Sequence, residues 1–240
     1  MKNKIIYSIV LPIYNEAENL PQLFREIETV MTELKQLYEV ICVDDGSRDD
    51  STNIIREHLK INEAFRMIRF DGNFGQSAAL AAGFEAACGD YVITMDSDLQ
   101  NDPGDLTKMV PHLKNYDMIT GWRQTRRDTW LKRISSKIAN GIRNKLSRET
   151  IQDTGCSLKI MKTFYLKKIK MFKGMHRFLP TLMKMEGASV LEIPVSHRSR
   201  NAGVSNYGTW DRALSGLRDL LVVRWMQDRF IHYKIKEDHS

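Results

Sequence analysis

The chain is expected to fold as an α/β protein, a mainly parallel sheet with helices on both faces, followed by a basic helical C-terminal elaboration. Two observations predict it. Short β-rich runs alternate with amphipathic stretches through the first half, as in successive βαβ units. Several of those runs, such as Val40-Ile-Cys-Val43, are almost continuously apolar, as expected of strands covered by helices on both sides. In order, Ile5–Leu11 reads as a strand, Ala17–Leu37 as a helix, Glu39–Val43 as a strand, Ser51–Leu59 as a helix and Phe65–Phe70 as a strand. Gly75–Ala87 follows as a small-residue helix, Tyr91–Met95 as a strand, Pro103–Leu113 as a helix and Met118–Thr120 as a strand. Beyond Gly121 the composition turns basic. Thr129–Leu146 reads as helix, Ser157–Met161 as a short strand, Phe164–Ile169 and Phe178–Met185 as helices, and Ala188–Val195 as the last strand. Ser196–Gly208 is a polar loop and Thr209–Tyr233 a long basic helix.

The 240 residues, 42% apolar and 28% charged, supply a core and a wetted surface together, which excludes disorder, collagen and coiled coil as the main theme. The net charge of +6 conceals a division: residues 1–120 carry −9 and residues 121–240 carry +15. An acidic half suits a metal cation, and a basic half suits phosphate, nucleic acid or a membrane. Cys42, Cys88 and Cys156 are odd in number and far apart, which fits reduced thiols better than a disulfide framework. Met1-Lys-Asn-Lys leads directly into the first strand without an export-type apolar core. No uninterrupted apolar stretch approaches the roughly 18–20 residues of a membrane span, so membrane contact is expected to be peripheral.

In open α/β sheets ligands bind at the carboxyl ends of the strands. Four such ends carry unusual sequence: Pro12-Ile-Tyr-Asn-Glu16, Asp44-Asp-Gly-Ser-Arg-Asp-Asp-Ser-Thr52, Asp71-Gly-Asn-Phe-Gly-Gln-Ser77 and Asp96-Ser-Asp-Leu-Gln100. If the chain stays extended, Asp96 and Asp98 point the same way. Hard oxygen ligands so spaced suit Mg²⁺ or Mn²⁺, with Gln100 as a third oxygen. Alone, such a pair reads equally as a turn, with Asp102 or Asp105 capping the helix near Pro103. Asp44 and Asp45 open a turn in which Asp49 or Ser51 caps the next helix, and one strand-tip Asp is placed to accept from a base or ribose. Gly72 to Gly75 is no dinucleotide fingerprint, which disfavours a nicotinamide enzyme.

These segments together resemble the family-2 glycosyltransferases of GT-A fold, in the branch of dolichol-phosphate mannose synthase and the bacterial polyprenyl-phosphate glycosyltransferases. The matching residues are Ser8-Ile-Val-Leu-Pro-Ile-Tyr-Asn-Glu16, Val43–Thr52, Gly72-Asn-Phe-Gly-Gln76 with Ala78 and Ala79, and Met95-Asp-Ser-Asp-Leu-Gln100. Gly121-Trp-Arg123, Asp153-Thr-Gly-Cys156 and Arg200-Asn-Ala-Gly-Val-Ser205 extend the resemblance over nearly the whole chain.

The resemblance implies a GT-A (Rossmann-like) catalytic domain over residues 1–208, with residues 209–240 a basic amphipathic helix that is interfacial or packed on that domain. It implies that Pro12, Tyr14, Glu16 and an Asp of the 44–45 pair hold the nucleoside, and that Asp96, Asp98 and Gln100 hold Mg²⁺ or Mn²⁺ on the diphosphate. Arg123 falls near the donor phosphates, Asp153 beside the reacting centre, and Arg200 with Ser205 on a loop closing over the phosphates. Asp98, Asp153 and Arg123 thus form the expected catalytic set. Asp153 reads either as a base or as a cap.

Trp122-Arg-Gln-Thr-Arg-Arg-Asp-Thr-Trp130, with Lys132, Arg133 and Lys137, makes a cationic helix entry bearing two tryptophans. Arg126, Arg127 and Arg133 are the candidates for a lipid-phosphate acceptor. Trp210, Leu214, Leu217, Leu221 and Trp225 lie at helical spacing, which reads equally as an interfacial face or as burial.

The expectation is therefore an inverting, metal-dependent transfer of a sugar from a GDP- or UDP-linked donor to an undecaprenyl or dolichyl phosphate. It would take place on the inner, cytoplasmic face of the membrane, against an anionic lipid surface. A membrane-protein partner and a homo-oligomer are left open, and nucleic acid is not expected. One alternative keeps the donor chemistry with a saccharide hydroxyl as acceptor, as in surface polysaccharide synthesis, which needs a base. Another is a non-catalytic basic nucleic-acid-binding module, against which stand the ordered acidic strand ends.

Overall fold

A computed structural model describes residues 4–123, 151–198, 209–231 and 237, with the backbone alone at 209–215 and 217. The expected helix Thr129–Leu146, the loop beyond residue 198, residues Arg126, Arg127, Arg133, Arg200 and Ser205, and the side chains of Trp210, Leu214 and Leu217 lie outside that description.

The described chain forms a seven-stranded sheet of order β3-β2-β1-β4-β6-β5-β7. Its strands are β1 (Tyr7–Ile13), β2 (Tyr38–Asp44), β3 (Phe65–Arg69), β4 (Tyr91–Thr94), β5 (Met118–Arg123), β6 (Lys159–Lys162) and β7 (Val190–Val195). All neighbouring pairs are parallel except those made by β6, which runs antiparallel to both β4 and β5. The chain order reverses at β1, which lies between β2 and β4, so a crevice opens where the two halves diverge. Parallel register places Ile13, Asp44 and Arg69 level at one sheet edge. Because β6 runs backwards, its first residue, Lys159, lies opposite Thr94 at the carboxyl end of β4. The Asp153–Cys156 segment thereby reaches the same edge as the parallel strand ends.

Helix α1 (Leu20–Leu34) is shorter than the expected Ala17–Leu37. Asn15 takes a left-handed φ of 56°, and the Ala17 amide is spent on Asp49 Oδ2 at 3.0 Å. Lys35, also left-handed, ends the helix. Its apolar stripe buries Leu20, Leu23, Phe24, Ile27, Val30 and Met31, each worth roughly 1.5–3 kcal/mol. Helix α2 (Ser51–Leu59) has the expected bounds, and α3 (Gln76–Ala86) is built from small residues because it lies tight on the sheet. A Cβ at Gly83 would collide with Val10. The expected helix Pro103–Leu113 is instead a 3-10 turn, one α turn α4 (Leu106–Met109) and a second 3-10 turn. Pro111 donates no amide hydrogen and breaks the α pattern.

Two further helices are also shorter than expected, α5 (Thr163–Leu166) and α6 (Leu179–Met185), the latter entered by a 3-10 turn at Met175–Phe178. Helix α7 (Thr209–Arg229) buries Leu220 and Val223 against Met175, Phe178 and Leu182. Leu221 and Trp225, part of the stripe read from sequence, are exposed at 55% and 63%. No helix among the described residues is long and apolar enough to cross a membrane.

Candidate active site

The loops after β1 and β2 are laced together. Asn15 donates its amide to Ser47 Oγ (3.1 Å) and accepts from the Arg48 amide (2.8 Å), while the Glu16 amide donates to Ser51 Oγ (2.9 Å). Glu16 Oε2 accepts from Asn19 Nδ2 at 2.6 Å, and Pro12 and Tyr14 remain partly exposed at the strand tip.

Asp44 is fully buried. It accepts from the Ser47 amide (2.9 Å) and the Thr52 hydroxyl (2.5 Å), with the Arg69 guanidinium 3.4 Å away. Asp45 takes the amides of Phe74 (2.7 Å) and Gly75 (2.8 Å), which pins the loop after β3. Both carboxylates thus shape the rim of a cavity of about 320 Å³ between Arg48, Arg69 and Asn73. The crossing of these loops requires glycine: Gly46 has φ +72°, and a Cβ there would lie 2.6 Å from the Gly72 carbonyl carbon. Of the proposed caps, Asp49 Oδ1 accepts the Ser51 amide at 3.0 Å and Asp102 accepts that of Gly104 at 2.9 Å.

After β4 the chain does not stay extended. It bends at 97–99 with Leu99 left-handed at φ 61°, and the Ser97 hydroxyl donates to the Pro12 carbonyl at 2.8 Å, tying the end of β4 to the end of β1. Asp96 Oδ1 accepts from Gln76 Nε2 at 2.7 Å, and Asp98 Oδ1 from the Gln100 amide at 3.2 Å. Desolvation and the charge of Asp98 raise the Asp96 pKa, opposed by the Ser157 hydroxyl, Lys159 and Arg123. Two carboxylates that repel one another at the crevice fit a divalent cation. Among the described residues no third acidic, His or Cys ligand joins them. That set suits Mg²⁺ or Mn²⁺, which commonly take one or two carboxylates and complete their shell with water and substrate phosphate.

Arg123, at the end of β5, forms a fork with Asp153: Nε to Oδ2 at 2.6 Å and Nη2 to Oδ1 at 2.8 Å. Burial acts to lower the Arg123 pKa, but the Asp153 pair outweighs it and leaves the guanidinium more firmly protonated. Asp153 and Gln152 donate their own amides to Glu192 of β7 at 2.8 and 2.9 Å. The expected members Asp96, Asp98, Arg123 and Asp153 therefore gather at one sheet edge.

Three neighbours were not read from the sequence. Lys159, His176 and Arg177 line a cavity of about 240 Å³ together with Asp96. Lys159 was legible as a lysine inside the apolar run Leu158–Met161, whereas His176 and Arg177 carried no signal. Lys159 Nζ bonds the Cys156 carbonyl, and burial lowers its pKa. The Ser77 hydroxyl accepts the Gly174 amide (3.0 Å) and pairs with His176 Nδ1 (2.7 Å). Burial, assisted by the Arg177 and Lys159 charges, lowers the His176 pKa to about 4.

Comparison with known proteins places these features in a family. The model of glycosyl transferase family 2 matches residues 8–170. The chain is 36% identical over 238 residues to a dodecaprenyl-phosphate galacturonate synthase of Rhizobium johnstonii, covering 97% of this chain and 69% of that protein. It is 35% identical over 205 residues to an undecaprenyl-phosphate 4-deoxy-4-formamido-L-arabinose transferase of Aeromonas hydrophila, covering 85% of this chain and 63% of that one. Among solved structures, a mannosyltransferase of Pyrobaculum calidifontis in complex with GDP-Man and Mn²⁺ superposes with a TM-score of 0.67 at 16% identity, covering 97% of this chain and 66% of that one. Glucosyl-3-phosphoglycerate synthase of Mycobacterium tuberculosis, in complex with Mn²⁺, UDP and glucosyl-3-phosphoglycerate, gives 0.66 at 16%, covering 95% and 81%. These likenesses establish the GT-A fold.

Proposed function

The chain belongs to glycosyl transferase family 2, and from that premise we propose that it transfers one sugar, with inversion, from a nucleotide-sugar to a polyprenyl phosphate. The observation that carries the choice of acceptor is the Arg123–Asp153 fork. A saccharide hydroxyl needs a base to take its proton, and both oxygens of Asp153, the candidate base, are engaged by the half-buried Arg123 guanidinium. A phosphate monoester is already ionised near neutral pH, so its oxygen attacks the anomeric carbon without a base. The names of both relatives described above join a polyprenyl phosphate to a sugar, which supports the same reading.

In this reading the strand-tip residues Pro12, Tyr14 and Glu16, with the loop shaped by Asp44 and Asp45, receive the nucleoside. Asp96 and Asp98, with Gln100, hold the cation, and Gln76 orients Asp96. When bound there, Mg²⁺ or Mn²⁺ would supply positive charge to the diphosphate leaving group. Arg123 adds fixed charge beside it, held in place by Asp153. Arg126, Arg127, Arg133, Arg200 and Ser205 are proposed to meet the acceptor and donor phosphates. Attachment to the inner face of an anionic membrane follows from the acceptor, and the exposed Leu221, Val222 and Trp225 support it.

The test is a thermal-shift panel of UDP, GDP and their sugars with and without Mn²⁺, followed by transfer to undecaprenyl phosphate. Metal-dependent stabilisation by one nucleotide and formation of a lipid-linked sugar are expected. Failure of every nucleotide to stabilise the protein with metal would overturn the reading.

A further inference from the structure

We propose that the cavity between Asp96, Lys159 and Arg177 is an anion subsite, which takes a carboxylate or phosphate group of a substrate beside the diphosphate. This rests on the donor-site reading above and deepens it.

Lys159 is only 3% exposed, and its one hydrogen-bond partner among the described residues is the neutral Cys156 carbonyl. Arg177 has no ion-pair partner among the described residues. Asp96 and Asp153 act on the Lys159 charge, but neither makes an ion-pair contact with it among the described residues. A desolvated ammonium without a contacting counter-ion is costly, and proteins ordinarily avoid it or pair it. Here Lys159 is instead presented to a cavity of about 240 Å³, far larger than one water needs. Asp96 is the single carboxylate on the cavity wall among the described residues, and a divalent cation would consume its charge. His176 on the same wall is neutral near pH 7, because its pKa lies near 4. With the cation in place, the described residues of the cavity wall hold two positive groups and no free negative one. An anionic group of the substrate completes it.

Two parts of the reaction can supply that group. One is a carboxylate on the donor sugar, and the other is the phosphate of the lipid acceptor. Both would bind by charge-assisted hydrogen bonds from Lys159 and Arg177.

The experiment compares wild type with Lys159→Met and Arg177→Gln by calorimetric titration in Mn²⁺, with Lys167→Met as a distant control. The donor arm sets UDP-galacturonate against UDP-galactose, which differ in the carboxylate. If GDP is the nucleotide that binds, GDP-mannuronate and GDP-mannose take their place. The acceptor arm sets farnesyl phosphate against farnesol and needs no nucleotide. A preference for the anionic partner of about tenfold or more in either arm, lost in both variants and kept in the control, is expected. The arm in which it appears identifies the source of the anion. Loss in Arg177→Gln alone still supports the subsite if Lys159→Met also loses UDP binding, since the lysine variant then reports on folding. Variants that bind both anionic probes as tightly as wild type, or a wild type that discriminates in neither arm, would overturn the proposal. If wild type binds farnesyl phosphate through these residues but no nucleotide with Mn²⁺, the donor reading fails and the anion subsite stands.

Discussion

Arg123 and Asp153, 30 residues apart in sequence, face one another as a two-pronged ion pair with bonds of 2.6 and 2.8 Å, each side chain no more than 15% exposed. Such a pair is costly to break from one side, because the remaining charge stays largely shielded from water. Asp153→Asn is therefore expected to lower stability by about 3 kcal/mol in urea unfolding. Transfer to a polyprenyl phosphate should fall without vanishing. Adding Arg123→Gln should recover part of the stability, with a coupling of about 1–3 kcal/mol in the double-mutant cycle. Complete loss of transfer with stability unchanged would instead mark Asp153 as a base.

Gln76 reaches from the first turn of α3 to Asp96 Oδ1 and fixes how that carboxylate is presented. Removing an outer partner of a metal ligand commonly costs ten- to a hundredfold in affinity. Gln76→Ala should raise the Mn²⁺ concentration needed for nucleotide-dependent stabilisation by about that factor, and Asp98→Asn by more. EDTA should abolish the nucleotide-dependent rise in Tm in wild type.

His176 titrates near 4 in the folded protein and near 6.5 when exposed, so the unfolded chain binds its proton first as pH falls. The stability held by neutral His176 is fully present above about pH 6.5 and is lost as pH drops towards about 4. It amounts to roughly 3 kcal/mol. His176→Gln should flatten the fall of unfolding free energy across that window relative to wild type, as followed by denaturant titrations at a series of pH values. Parallel curves for the two proteins would disprove it.

At Gly46 the left-handed φ and the closeness of Gly72 act together. Gly46→Ala should destabilise by about 2–4 kcal/mol. Because the loop after β3 is displaced, nucleotide affinity should fall as well, whereas Gly75→Ala, with open space around its Cβ but a φ of +89°, should suffer backbone strain without a collision.

Leu221, Val222 and Trp225 form an exposed apolar face on α7, with Arg218 and Arg229 one turn to either side. Flotation with anionic vesicles should recover the wild-type protein, and more weakly so as salt is raised. Trp225→Ser combined with Leu221→Ser should reduce recovery several-fold while nucleotide binding is retained. Equal recovery on neutral vesicles would remove the electrostatic part of this account.

Much of the site was legible because strand ends announce themselves. Val40–Val43 followed by Asp44-Asp-Gly, and Tyr91–Thr94 followed by Asp96, place polar groups where a parallel sheet opens to solvent. What was not legible depended on chain reversal. Nothing in Ser157–Met161 indicates that β6 runs antiparallel, yet only that direction brings Lys159 and Asp153 to the carboxyl ends of β4 and β5. The expectation of an extended Asp96–Asp98 segment gave way to a bend, since the left-handed Leu99 and the Ser97–Pro12 bond are contacts across the sheet rather than local preferences.

The sequence by itself determined the α/β alternation, the acidic strand ends and the family, since apolar periodicity and local motifs need only neighbouring residues to be read. The tertiary structure alone decided that Arg123 neutralises Asp153, and that Lys159, His176 and Arg177 share a cavity with Asp96. It also decided which face of α7 is buried. Charge pairing and desolvation act over a few ångströms in space, and residues separated by tens of positions reach that range only after the sheet order and the direction of each strand are set.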